Sequence, residues 1–169
     1  EVDLRHIPHA VDYTIFKKLE EEEVTAFKEE FLDLKDENEK FTVFWNNRNA
    51  RRKQSGSLIF WFKQFLDDVG HDNAQLIMHT DPFDQHGQNL EAIIGYLGLT
   101  NGQVKFSKQK VQPDQLAKIY NAADVTINVA DAEGFGLSTL ESLACETPII
   151  VTMTGGLQEQ VTDGEEWFG

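Results

Sequence analysis

Two glutamates and one basic cluster have the residue types and spacing to do chemistry. Glu133 and Glu141 lie eight positions apart in the stretch 130–147, ADAEGFGLSTLESLACET. Gly134 and Gly136 precede a good helical pattern, so backbone N–H groups at a helix start are left open. There the helix dipole and the unpaired donors favour a phosphate or the lone pairs of a sugar hydroxyl. Glu133 stands just before this turn and faces the same place. Glu141 is five residues beyond Gly136, roughly 7–8 Å along a helix rising 1.5 Å per residue. It follows Leu137 by four, which sets its carboxylate beside an apolar face of Leu137, Leu140 and Ala144. A carboxylate so placed suits a pair of vicinal ribose hydroxyls. Arg48, Arg51, Arg52 and Lys53 fall within six residues of NNRNARRKQSG, 46–56, and such groups neutralise a diphosphate through charge-assisted hydrogen bonds. Taken alone, the glutamates read equally as one cap and one exposed side chain, and the basic run as a solvated loop.

The elements that must position these residues alternate. Residues 1–19 read as a short strand and a loop, and the acidic run 20–23 opens a helix facing inward through Val24, Phe27, Phe31 and Leu34. Residues 41–45, FTVFW, form a buried strand that ends at the basic cluster. A helix over 57–66 turns Leu58, Phe62, Phe65 and Leu66 inward. Strands at 75–79, 104–106, 124–129 and 148–152 alternate with helices at 90–97 and 115–122, the latter opened by Pro113 and Asp114. The stretch 154–161, TGGLQEQV, sets two adjacent glycines before a further helix. Repeated β–α alternation predicts one domain over residues 1–169. Its fold class is α/β, a three-layer Rossmann-like arrangement with a mainly parallel sheet flanked by helices. In such a sheet the loops carrying Arg48 and Lys53, Lys110 and Val111, Glu133 to Gly136, and Gly155 with Gly156 share the C-terminal edge and converge on one crevice.

Composition narrows the partners. Fifteen basic against 29 acidic residues give a formal net charge of −14, which disfavours nucleic acid or an anionic membrane as the main partner. The one cysteine, Cys145, forms no intrachain disulfide and suggests a reducing compartment. No apolar run approaches the roughly 20 residues of a transmembrane segment, and no signal-like start precedes the first strand, so a cytoplasmic setting is expected. His79, Asp81 and His86 in the segment HTDPFDQHGQN match no compact metal motif, and no metal is expected.

EGFGL with a glutamate eight positions after the first, then LACETPIIV and GGLQEQV, resembles the E-x7-E signature of retaining glycosyltransferases of GT-B architecture, the family 4-like "glycosyl transferases group 1". The resemblance implies the C-terminal, donor-binding half of such an enzyme. Its donor is a nucleotide-diphospho-sugar, and its acceptor is supplied through an N-terminal domain of the same parent chain. It implies that Arg48 and Lys53 grip the diphosphate, Glu133 contacts the sugar hydroxyls and Glu141 the ribose. Gln109, Lys110 and Val111 would line the base, while Gly134, Phe135, Gly136, Leu137, Gly155 and Gly156 shape the donor site. No separate cofactor is implied. PHAVD, 8–12, is similar to the segment after the interdomain linker, and HTDP to a segment in one branch of the family. Asn47 and Glu146 depart from the pattern, since glycine is usual at both. The start without methionine and the end before a final crossing helix imply an excised domain that binds nucleotide sugar weakly and transfers little alone. A nucleotide-sugar epimerase of the same architecture and a non-catalytic α/β module are the competing readings. The base, the sugar and the acceptor are not encoded in these patterns.

Overall fold

A computed structural model describes residues 3–5, 7–31, 40–162 and 164–167. The elements run α1 (Glu21–Phe31), β1 (Phe41–Asn46), α2 (Ser55–Val69), β2 (Ala74–His79), α3 (Leu90–Leu97), β3 (Val104–Ser107), α4 (Pro113–Ala122), β4 (Val125–Asn128), α5 (Leu137–Ala144) and β5 (Ile149–Val151). Short 3-10 turns at Arg51–Lys53 and Gly155–Gln160 complete them. Five strands pair in the order β3-β2-β1-β4-β5, every pair parallel.

Alternation along each strand sends side chains to two cores. Val43 and Trp45 of β1, with Leu76 and Met78 of β2, pack against Leu58, Ile59, Phe62 and Leu66 of α2 and Leu90 of α3. Phe44 and Ile77 face the other way, onto Ala117, Ile119 and Tyr120 of α4, with Phe16 and Cys145. The Cys145 thiol is buried and its Sγ lies 3.9 Å from the Ala117 carbonyl oxygen. Burial pushes this thiol up to about 11.

The sheet grows from β1 in two directions, through β2 to β3 on one side and through β4 to β5 on the other. The loops leaving β1 and β4 therefore part company between neighbouring strands that pair Val43 with Val125 and Phe44 with Thr126. This is the topological switch at which open α/β sheets form a crevice.

Several local expectations shift. No strand forms among the described residues of 1–19. Asp12 instead accepts hydrogen bonds from the Thr14 N–H (2.9 Å) and hydroxyl (2.6 Å), closing a turn that drops Phe16 into the second core. Leu34 lies outside the described residues. Helix α2 starts at Ser55 because Gln54 reverses the chain in a left-handed conformation (φ 55°). Ile59 is fully buried there, whereas Phe65 lies 38% exposed at the rim, its ring 6.3 Å from that of Phe41. In α5 the inward face is small and polar: Thr139 and Ser142 are buried, and Leu137 is 44% exposed. Ser142 Oγ hydrogen-bonds Thr126 Oγ1 of β4 at 2.8 Å, a contact that brings helix and strand close. The segment after Thr154 is a 3-10 helix.

Candidate functional site

Lys53 and Glu133, 80 residues apart in sequence, meet in the crevice between the β1 and β4 loops, where they form a hydrogen-bonded ion pair. Lys53 leaves the 3-10 turn after β1 and is 6% exposed. Its Nζ also donates to Asn47 Oδ1 at 2.6 Å. Glu133 Oε2 accepts from Asn128 Nδ2 at 3.3 Å, and Oε1 accepts from its neighbour's Gly134 N–H at 3.1 Å. Burial alone would raise the Glu133 carboxyl. The Lys53 hydrogen bond and charge, with help from Asn128 and Arg52, overcome it and hold the group below its ordinary value. Burial likewise depresses Lys53, the partner glutamate offsetting part of it.

Arg52 fastens the two loops. Its carbonyl accepts the Asp131 N–H at 2.8 Å, its Nη1 donates to the Ala132 carbonyl at 2.6 Å, and the same atom lies 3.9 Å from Glu133 Oε1. A cavity of about 330 Å³ opens over the pair, with Asn46 and Asn47 on one wall and Phe135, Gly136, Leu137 and Ser138 on the other. His9 closes one end, its ring edge-on to Phe135 at 5.0 Å.

The glycines divide by role. Gly136 has φ 87°, and a side chain there would strike Leu157. Gly155 and Gly156 back the Glu133–Phe135 turn, with the Gly156 N–H donating to the Glu133 carbonyl at 3.2 Å. Gly134 has neither constraint: a Cβ at that position would meet nothing within 4 Å. Its lack of a side chain serves open space beside Glu133.

Glu141 is anchored from beneath. Asn46 Nδ2 donates to Tyr120 Oη at 2.9 Å, and that hydroxyl donates to Glu141 Oε2 at 2.8 Å. Burial pushes the Glu141 carboxyl above its ordinary value, and the Tyr120 hydrogen bond offsets part of that rise. The folded chain therefore holds this proton more tightly than the unfolded chain does. The group favours folding in acid, and that contribution is lost as the pH rises from the ordinary carboxylate value through the folded one. Glu141→Gln should accordingly raise the melting temperature at pH 7, by a margin that shrinks as the pH falls toward about 4. An equal margin at both pH values would assign the change to packing instead.

Glu141, Gly134, Gly155 and Gly156 border the crevice without lining its cavity, and the remaining expected residues lie outside it as well. Arg48 is exposed and engages the β2–α3 loop, with Nε 2.6 Å from Asp84 Oδ2 and Nη2 2.7 Å from His86 Nδ1. Val111 and Gln109 line a separate cavity of about 530 Å³ with Ile77, Phe106 and Gln115, which Lys110 does not reach. Among the described residues no three His, Cys, Asp or Glu side chains are grouped to hold a metal ion, and no helix is long and apolar enough to cross a membrane.

A family profile described as "Glycosyl transferases group 1" matches residues 27–168. The chain belongs to this family. A D-inositol 3-phosphate glycosyltransferase of Acidothermus cellulolyticus is 40% identical to this group 1 chain over 78 residues, 46% of the chain and 17% of that relative. Sucrose-phosphate synthase of Thermosynechococcus elongatus superposes with a TM-score of 0.75 at 28% identity, over 94% of this chain and 37% of its own. HepE of Anabaena, solved in complex with UDP and glucose, superposes with a TM-score of 0.73 at 22% identity, over 91% and 39%. The group 1 chain thus spans well under half the length of these relatives, and its all-parallel sheet has the Rossmann-like form of these GT-B neighbours. The E-x7-E signature holds Glu133 and Glu141 but says nothing of Asn46, Arg52, Tyr120 and Asn128, whose hydrogen bonds and charge hold the two glutamates in place.

Proposed function

We propose that this chain is the nucleotide-diphospho-sugar-binding half of a retaining glycosyltransferase. The observation that carries the reading is the buried Lys53–Glu133 pair at the β1/β4 switch, roofed by the open N-terminus of α5. Lys53 and Arg48 take the diphosphate, Glu133 the hydroxyls of the transferred sugar, and Glu141 the ribose. The backbone of residues 134–137 and the Gly155–Gly156 turn shape the sugar side, and residues 109–111 the base. UDP and glucose bound to HepE support this class of donor.

In the reaction so assigned, the bond between the sugar's anomeric carbon and the diphosphate oxygen breaks and its electron pair leaves with the nucleoside diphosphate. Lys53 and Arg48 stabilise the charge that develops on that oxygen. The acceptor oxygen attacks the same face of an oxocarbenium-like sugar and gives its proton to the departing phosphate. The acceptor is held by an N-terminal domain of the same parent protein, so the chain alone binds donor weakly and transfers little. Calorimetric titration with UDP-, GDP- and ADP-linked sugars tests the assignment. One nucleotide series should bind and release heat, and Glu141→Ala should weaken it. Absence of binding with all three would turn the reading to a non-catalytic module.

A further inference from the structure

The segment 79–89, HTDPFDQHGQN, is clasped onto the basic loop after β1. Asn49, fully buried, accepts from Ser55 Oγ at 2.7 Å and donates to the Gln88 carbonyl at 2.7 Å. The Arg51 N–H donates to the His86 carbonyl at 3.3 Å, and the Gly56 N–H to Gln88 Oε1 at 3.1 Å. A side chain on Gly87 would overlap Asn49. Within this clasp Asp84 is itself fixed, since its Oδ1 accepts the His86 N–H at 2.9 Å and its carbonyl accepts the Gly87 N–H at 2.9 Å.

The fixed carboxylate takes one edge of the Arg48 fork. Nε and Nη2 reach Asp84 Oδ2 and Oδ1 at 2.6 and 3.2 Å, and Nη2 also meets His86 Nδ1 at 2.7 Å. An arginine only donates, so His86 accepts at Nδ1. Nη1 has no partner among the described residues, and its two N–H groups remain available. Arg48 follows Asn47, which lines the crevice. A planar fork held along one edge presents the other in a set direction, which lowers the ordering cost of binding an anionic oxygen.

We infer that Asp84, with His86, is a positioning residue that holds Arg48 by one edge so that its Nη1 edge meets the donor's diphosphate. This inference rests on the donor-binding reading above. It gives the HTDP segment, none of whose residues lines the crevice cavity, a task of its own, because the segment acts through the arginine rather than on the ligand.

Titration of UDP, GDP and ADP, each against its own monophosphate, tests the inference on the wild-type chain, Asp84→Asn, Arg48→Ala and the double variant. Asp84→Asn should weaken diphosphate binding about tenfold, within the range of coupling between contacting charged residues. It should leave the monophosphate within about twofold, and it should add nothing once Arg48 is alanine. A purely structural Asp84 would lower the melting temperature without changing the preference for diphosphate over monophosphate, which would overturn the inference. Tighter diphosphate binding by Asp84→Asn would overturn it too, by showing that the carboxylate competes with the ligand. If the wild-type chain binds none of the three diphosphates, the donor reading itself fails, and that result is distinct from an unaffected Asp84→Asn.

Discussion

Lys53→Ala is expected to weaken nucleotide-sugar binding about a hundredfold, roughly 2.7 kcal/mol, while also lowering stability by about 3 kcal/mol. Both effects come from one ammonium group. It is nearly sealed from solvent and touches two acceptors, Asn47 Oδ1 and Glu133. When it is removed, a carboxylate whose side chain is 11% exposed keeps, among the described residues, only Arg52, at 3.9 Å, as a cationic neighbour. A charge left buried without its partner is costly. The two losses separate in Lys53→Ala/Glu133→Gln, where the stranded charge is gone. That double variant should recover most of the melting temperature and none of the affinity. Affinity within about twofold of wild type in Lys53→Ala would remove the crevice as a diphosphate site.

Gly155→Ala should destabilise the chain by about 3 kcal/mol, the upper part of the usual range for a single substitution that strains the backbone. Gly155 has φ 49°, and its missing Cβ would fall on the carbonyl oxygen of Glu133. Backbone cannot yield there as a flexible side chain would, so the 133–136 turn must move and the Glu133 carboxylate must leave Lys53. Donor affinity should fall with stability. Gly134→Ala provides the contrast, because open space surrounds that position. Its stability should change by less than about 0.5 kcal/mol, so any loss of affinity measures how near the ligand comes to that backbone. Denaturant unfolding and calorimetry on the same two variants decide both points. A Gly155→Ala chain as stable as wild type would show that the turn has another way to pack.

The sheet was legible because its strands are short runs rich in β-branched and other apolar residues, and because β–α alternation leaves few topologies open. Glu133, Lys53 and the glycine turn were legible for the same reason, as strand-end residues destined for one edge. Tyr120 was not: at the end of α4 it reads as one more apolar core residue, and only the fold brings its hydroxyl between Asn46 and Glu141. Asn46 reads as the end of a strand, Asn47 as part of the basic loop and Asn128 as a strand residue, yet each is bonded to a residue that only the fold or a turn of chain brings near. Arg48 and Arg52 are indistinguishable in sequence by charge. The partner on the opposing loop separates them: Asp84 for the first and the Ala132 carbonyl for the second. The inward face of α5 was misread because hydrophobic periodicity favours leucine. Close approach to β4 selects the small hydroxyl of Ser142 instead.

The sealed thiol of Cys145 gives the protein its own clock for opening. A thiol raised to about 11 and 2% exposed presents almost no thiolate to an alkylating reagent while the second core is intact, and reactivity follows the thiolate. Labelling at neutral pH must then wait for the α4–α5 region to part, so its rate counts those excursions. Saturating nucleotide should slow that rate in proportion to how firmly the bound state keeps Tyr120 and Glu141 together.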